Sequence, residues 1–499
     1  MPKLKVNAES LQIGSPAAVR YRAQGAKLRV PGGSGMLHGR FGNHSDTMSR
    51  LSRRSFLAAS ALLAARPAFA AKPSGEDADV IVVGAGAAGI AAARRLAADK
   101  VRVLVFEAQD RIGGRCITDT KTFAMPFDLG AHWIHNPDSN PLLAAAPPPE
   151  LYAAPRWQSV RIGARAARDP ELEVFLAAQV RAQRALHEPT KAKTDVPATR
   201  ALPDNLGPWK SSIEFLLGPY ALSKDLNEVS AADLMRTAEH SGDSFAMQGY
   251  GALLARLASG LTIRRSRPVS MIAWGKSAVL ETPESLWYPR AIILTCSTNA
   301  LLGDDIEFIP PLPKRVKDAA AQLALGSLDH IALDMPGNPL ALQKDELVIE
   351  QSTGPRTAAL LANVSGTGLH VITVGGAFGR ELASKGERAM IDFAVQWVGS
   401  IFGTDVKRYV KKAAATNWNA QDYIKGAMSA ASPGHADARR VLFEPLGHIW
   451  LSGEAVHETK WGTVEGAWES GVRAAEAVLR QLGRGGAREE ELKRRRKRR

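Results

Sequence analysis

The first apolar run that reads as buried core is Asp79-Val80-Ile81-Val82-Val83. It is short, β-branched and without alternation, the pattern of a strand covered on both faces in a parallel sheet. Gly84-Ala85-Gly86-Ala87-Ala88-Gly89 follows at once, and the Ala-rich stretch from Ile90 to Ala98 then carries a helical pattern. A second strand, Val101 to Phe106, ends at Glu107. This order predicts a βαβ unit and an α/β fold. At the far end Ile449-Trp450-Leu451 reads as a strand running into Ser452-Gly453-Glu454, and Gly462-Thr463-Val464-Glu465-Gly466-Ala467 opens a helix. Between them the pattern predicts helices over Glu171–His187 and Ala252–Leu257, and strands at Ile331–Leu333 and His370–Val374. No internal repeat is present.

Composition bounds the class. At 499 residues the chain has room for two or three domains, and 45% hydrophobic with 23% charged residues is ordinary for a globular protein. Largely disordered, collagen-like and multi-span membrane chains are excluded. The formal charge of +14 suggests nucleic acid until it is mapped: residues 1–70 carry net +9 and 484–499 net +6, which leaves 71–483 at −1. The basic balance belongs to the ends, so no nucleic-acid partner is expected. Cys116 and Cys296 make no CxxC pair and read as small buried residues. GxSxG, HExxH and Walker A runs are missing, and no metal site is expected.

From Met48 the chain reads MSRLSRRSFLAASALLAARPAFA. Arg53 and Arg54 precede an apolar run from Phe56 to Ala65, and Ala68-Phe69-Ala70 is a small-x-small cleavage triplet. The run is too short to span a bilayer. Ser52-Arg53-Arg54-Ser55-Phe56-Leu57 resembles the twin-arginine export motif, which implies the export machinery as a partner and a periplasmic or exported location. Export signals start near an amino terminus, so residues 1–47 are read as a non-native or disordered extension and 48–70 as the signal peptide. Residues 484–499, ending in the basic run 493–499, are read as a disordered tail.

The glycine-rich turn has a physical purpose. Gly84 permits the tight turn, Gly86 lets backbone amides approach a pyrophosphate, and Gly89 allows close helix–strand packing, with Ala88 between them. A helix beginning after Gly89 would offer its amides and positive dipole end to the phosphate. Glu107 is placed to accept from ribose hydroxyls. The unit alone does not distinguish FAD from NAD.

Glu107-Ala108-Gln109-Asp110-Arg111-Ile112-Gly113-Gly114-Arg115 resembles the EAxxRxGGR signature of the flavin-containing amine oxidase superfamily. Asp128-Leu129-Gly130-Ala131-His132-Trp133-Ile134-His135 is similar to the family's segment beside the flavin ring, and Gly453-Glu454 with Gly462–Ala467 to its carboxyl-terminal signature. The resemblance covers roughly residues 77–483. It implies a Rossmann-like FAD-binding domain with a discontinuous α+β substrate domain. The FAD domain would comprise 75–135, 245–297 and 445–483, and the substrate domain 136–244 and 298–444. Arg115 would supply a cation near the phosphates, Gly114, Gly130, Ala131, His132 and Trp133 would line the cofactor, and Val269 would lie at the adenine. Gly453 and Glu454 would meet the ribityl chain, and Thr463 and Val464 would start a helix aimed at the flavin pyrimidine. Such enzymes remove a hydride equivalent from the carbon beside an amine. The imine then hydrolyses, and oxygen returns the flavin to its oxidised state with release of hydrogen peroxide.

Three family features bear on the chemistry. His330 stands where a lysine commonly holds a water, and His135 resembles a substrate-facing histidine of polyamine-oxidising members. Met428 and Thr463 stand in the segments that usually carry an aromatic pair around the amine, Met428 in Gly426-Ala427-Met428-Ser429 and Thr463 just before Val464-Glu465-Gly466; neither is aromatic, and Trp461 is the nearest ring. Ala427 also stands where some members carry a flavin-linking cysteine, so FAD is expected to bind non-covalently. The leading expectation is an enzyme that oxidises a small or medium amine, with oxygen or another acceptor. A flavin desaturase or dehydrogenase on a non-amine substrate, and a non-catalytic flavin-binding protein, are the alternatives.

Overall fold

The computed structural model describes residues 72–73 and 77–484, apart from 146–148, 154–156, 189–193 and 239–241. The expected extension, signal peptide and all but the first residue of the basic tail lie outside the described residues. The centre is a five-stranded, all-parallel sheet in the order Ile263–Arg264, Val103–Phe106, Val80–Val83, Ala291–Leu294, Ile449–Leu451. Its strands are continuous apolar runs because both faces are covered. Ile81, Val83, Leu104, Phe106, Ile292 and Leu294 point into one core, while Val80, Val82, Val105, Ala291 and Ile293 point into another.

The helices Ala87–Ala98 and Val464–Gln481, from opposite ends of the chain, pack together over the second of these faces. The first face is closed by Ile272, Leu280 and Trp287 of a smaller sheet and by Val316, Ala319 and Leu442 of the helices Lys314–Gln322 and Ala438–Phe443. The helix after the first strand begins at Ala87, three residues earlier than the pattern predicts: Gly86 is its cap, and Ile90 N–H already donates to the Gly86 carbonyl at 2.9 Å. Gly89 is therefore inside the helix. A Cβ there would stand 1.9 Å from the Gly84 carbonyl oxygen, so only glycine lets the turn fold back this closely. The second strand starts at Val103, because Val101 and Arg102 are drawn into the connection by bonds to Leu96 and Asp79.

A second, seven-stranded sheet runs in the order Lys412–Ala415, Leu328–Asp334, Leu369–Gly375, Ala359–Ala362, Glu346–Glu350, Trp157–Ile162, Arg165–Ala166. Its strand Leu328–Asp334 places His330 opposite Thr373. A three-stranded sheet pairs Asp243–Ala246 with Ile134–His135 and Leu151–Ala153. The expected amphipathic helix forms over Asp169–His187. Both cysteines are unpaired, and burial pushes each thiol up to about 12. No helix among the described residues is long and apolar enough to cross a membrane.

Candidate active site

The site lies at the carboxyl ends of the parallel strands, where loops from distant segments meet. Glu107, ending the second strand, is buried, and its carboxylate accepts from Ala85 N–H at 2.7 Å and Gln109 N–H at 2.9 Å. This ties the glycine turn to the EAxxRxGGR segment. Across the turn Gly86 and Gly114 face one another, and a Cβ on Gly114 would stand 3.3 Å from the Gly86 Cα. The two glycines leave a cradle lined by backbone, which a side chain on either would fill.

Arg111 marks what the cradle suits. Its Nη1 donates to the Gly114 carbonyl at 2.9 Å, whereas its buried Nη2 has no partner. Burial works against its charge, so an anion is the group that would satisfy it. Arg115, expected near the phosphates, engages the protein through its Nη1. Its guanidinium donates to the Glu454 carboxylate at 3.0 Å and to the Ala427 carbonyl. Glu454 also accepts from Ser429 N–H, Ser429 Oγ and Gly462 N–H at 3.2, 2.7 and 2.8 Å. One buried carboxylate thus joins four segments, with Gly453 leading into it.

The sequence profile of the family described as "Flavin containing amine oxidoreductase" matches residues 172–479, and that of an NAD(P)-binding Rossmann-like domain matches 82–146. The chain belongs to the flavin-containing amine oxidase family. Polyamine oxidase 4 of Oryza sativa subsp. japonica is 25% identical over 448 residues, which span 81% of this chain and 89% of that protein. Lysine-specific histone demethylase 1B of Mus musculus is 25% identical over 80% of this chain and 52% of its own. Two solved structures share the fold. Cyclohexylamine oxidase from Brevibacterium oxydans IH-35A has a TM-score of 0.66 at 21% identity, covering 82% of this chain and 100% of its own. A putrescine oxidase double mutant has 0.67 at 18%, covering 81% and 99%.

This member of the family is an oxidoreductase whose cofactor is FAD, bound non-covalently. The residues present fit it. The Gly86–Gly114 cradle and Arg111 Nη2 suit the diphosphate, and Glu107 suits a ribose. Val269 packs with Phe106 beside the strand end that carries Glu107. Ala88 lies in the first turn of the helix behind the cradle. Bound there, flavin supplies hydride acceptance, and the chain supplies position, charge and proton control.

Around the expected ring position the structure brings together residues far apart in sequence. Ala131 accompanies Gly130, His132 and Trp133 in one segment, held by Ala131 N–H to the Arg115 carbonyl at 3.1 Å. His132 Nδ1 lies 3.2 Å from the Gly130 carbonyl. The His330 ring meets the His132 ring edge-on, with centroids 5.0 Å apart. His330 Nδ1 is 3.1 Å from the Thr373 hydroxyl. Burial pushes His330 down to about 4 and His132 down to about 3, so both rings are neutral near pH 7. His135 differs: burial opposes its charge, but the hydrogen bond and charge of Asp243, together with Glu465, raise it above the ordinary value.

Thr463 caps the last helix. Its hydroxyl accepts from Gly466 N–H at 3.0 Å and donates to the Lys460 carbonyl at 2.8 Å, and Val464 packs behind it. Met428 lies against Gly462, beside Thr463. Trp461 is not free to embrace an amine: it is buried among Leu226, Val229 and Ala430, and Arg439 Cζ sits 4.6 Å over its ring. The ring thus already carries an internal cation. Trp418 escaped the sequence reasoning. Its indole donates to the Leu129 carbonyl at 3.1 Å and backs onto Gly130, a role hinted at only by an aromatic residue shortly before Gly426-Ala427. Arg111 stood inside the signature motif but without a role.

Proposed function

We propose that this protein oxidises a small or medium primary or secondary amine, with oxygen as the electron acceptor and hydrogen peroxide as product. The observation that carries this reading is the lining. Neutral His330 and His132, the Trp133 and Phe245 rings with centroids 4.5 Å apart, and the half-exposed Asp243 beside His135 meet at one edge of the cofactor site. Aromatic faces and a carboxylate suit a cationic or freshly neutralised amine. The names of the polyamine and cyclohexylamine oxidases among its relatives lend further support. His330, through its Thr373-oriented ring, is suited to holding a water or passing a proton beside the flavin.

The test is anaerobic stopped-flow reduction of the bound flavin on protein expressed from Met48, with amines, polyamines and amino acids. Rapid bleaching by one amine class supports the reading; a yellow protein that no amine bleaches sinks it. The second reading, a dehydrogenase or desaturase on a non-amine substrate, is favoured by one observation: neither Met428 nor Thr463 is aromatic, and the nearest ring, Trp461, already has Arg439 over it. Peroxide formation with the amine panel separates the two.

We also propose export by the twin-arginine route to the periplasm, from the Ser52–Leu57 motif. Cell fractionation of the wild type against Arg53→Lys with Arg54→Lys tests it. Unchanged distribution of the double variant would remove the proposal.

A further inference from the structure

The loop of residues 458–462 leads into the helix Val464–Gln481, and one histidine holds it. His457 is buried, and its Nδ1 accepts from Lys460 N–H at 2.9 Å and from Thr459 N–H at 3.3 Å. A ring nitrogen that accepts carries no proton, so these bonds fix the tautomer. The ring's hydrogen sits on Nε2, 3.0 Å from Glu469 Oε2. Glu469 Oε1 takes Lys460 Nζ at 2.6 Å, so Lys460 is held by main chain and side chain at once. The loop bears on the cofactor site at two points. Gly462 N–H donates at 2.8 Å to Glu454, the carboxylate paired with Arg115. The Lys460 carbonyl accepts from the Thr463 hydroxyl, and a Cβ on Gly466 would stand 1.9 Å from that carbonyl oxygen. The helix rests in turn on the one after the glycine turn, where a Cβ on Gly471 would stand 2.1 Å from the Ala88 carbonyl oxygen. Backbone packed this closely has no slack, so a shift of Lys460 passes to the helix start and, through Gly462, to Glu454.

We propose that His457 is a positioning residue for the flavin: as a neutral ring protonated on Nε2 it pins Lys460, and through Lys460 it sets both Gly462 against Glu454 and the start of the last helix. The inference needs only bound FAD and stands apart from the amine reading. A second proton, taken from solvent, would go to Nδ1 and turn the acceptor of two amides into a donor facing them. Both loop bonds would then be lost, and Lys460 would keep only its side-chain tie to Glu469. The charged groups acting on the ring are Glu469 and Arg473 from the helix and Lys460 from the loop, and Glu458 acts on Arg473. Burial and the two cations oppose the imidazolium, whereas Glu469 favours it. Burial prevails, and the ring lies below the ordinary 6.5. The loop is therefore pinned above about pH 6.5 and released as pH falls through the ring's lower folded value.

The experiment follows flavin release from the diluted holoenzyme, read as the return of free-flavin fluorescence, between pH 8 and pH 5. Wild type should release slowly at pH 8 and roughly tenfold faster on the acid side, the scale of one or two lost hydrogen bonds. His457→Asn puts an amide oxygen where Nδ1 stands and cannot titrate, so its release should stay slow at both ends. His457→Gln reaches Glu469 but leaves the two amides without an acceptor, so its release should be fast throughout. Glu469→Gln keeps an acceptor for Nε2–H and removes the charge that favours the imidazolium. Its release midpoint should fall by about one unit. An Asn variant that follows wild type into fast release at acid pH overturns the proposal, and so does one that matches the Gln variant at pH 8. Should neither His457 variant retain flavin, the Glu469→Gln midpoint decides: a downward shift supports the positioning role, and an unmoved midpoint overturns it.

Discussion

Arg115 and Glu454, 339 residues apart in the chain, meet in an ion pair of 3.0 Å. The carboxylate is 5% exposed and takes three further hydrogen bonds, so it fastens the segment that follows Gly113-Gly114 to those around Ser429 and Gly462. Glu454→Gln keeps the shape and removes the charge, leaving Arg115 without its anion. We expect a loss on the order of 3 kcal/mol, as for breaking one partner of a buried pair, and a lower flavin-to-protein ratio. Thermal unfolding and the visible absorbance of the purified variant check both. Wild-type flavin content with an unchanged melting temperature would show the pair to be incidental.

His330→Ala removes the imidazole that meets His132. The expected loss in amine-driven flavin reduction is roughly 10- to 100-fold, the scale of a positioned proton or water donor. The ring stays neutral above its value of about 4, so the loss should be constant from neutral to alkaline pH. For stability, a folded value below the ordinary 6.5 means that the neutral ring's contribution is full above about 6.5 and declines as pH falls toward 4. A rate defect that appears only on the acid side contradicts this role.

Asp329, beside His330, is fully buried. Its Oδ1 accepts from the Thr416 hydroxyl and Trp418 N–H, both at 2.9 Å, while Oδ2 has no partner. Burial pushes its carboxyl up to about 6. A folded value above the ordinary 3.8 gives stability that is present below 3.8 and lost as pH rises through about 6. Asp329→Asn keeps an acceptor and cannot ionise. Relative to wild type it should gain on the order of 2 kcal/mol between pH 4 and pH 8, read as a melting-temperature difference at the two ends. Equal losses at both ends would mean that ionisation of Asp329 does not matter.

Trp461 has an internal cation on its ring and an indole nitrogen without a partner. Trp461→Phe retains a ring face for Arg439, which also binds Asp233 at 2.8 Å in a buried pair. The variant should lose less than about 1 kcal/mol and keep its KM for any amine substrate. A several-fold rise in KM with an unchanged melting temperature would return Trp461 to the substrate's surroundings.

The βαβ entrance, the bipartite cofactor signature and the helix after Thr463 were legible in the sequence, because strand, turn and cap chemistry is written within a few neighbouring residues. Gly86 and Glu107 fell where their local pattern required. Partner choice was not legible in the same way. The fold brings Arg115 Nη1 to the Glu454 carboxylate and Arg439 over the Trp461 ring, contacts that no local pattern announces. Asp243 carried no signal until pairing of Asp243–Ala246 with Ile134–His135 set it opposite His135. A slip of one residue in that register would turn its side chain to the other face. Local sequence determined which elements form and which glycines shape the turn between them, whereas sheet register and helix packing over hundreds of residues decided which charges and rings meet.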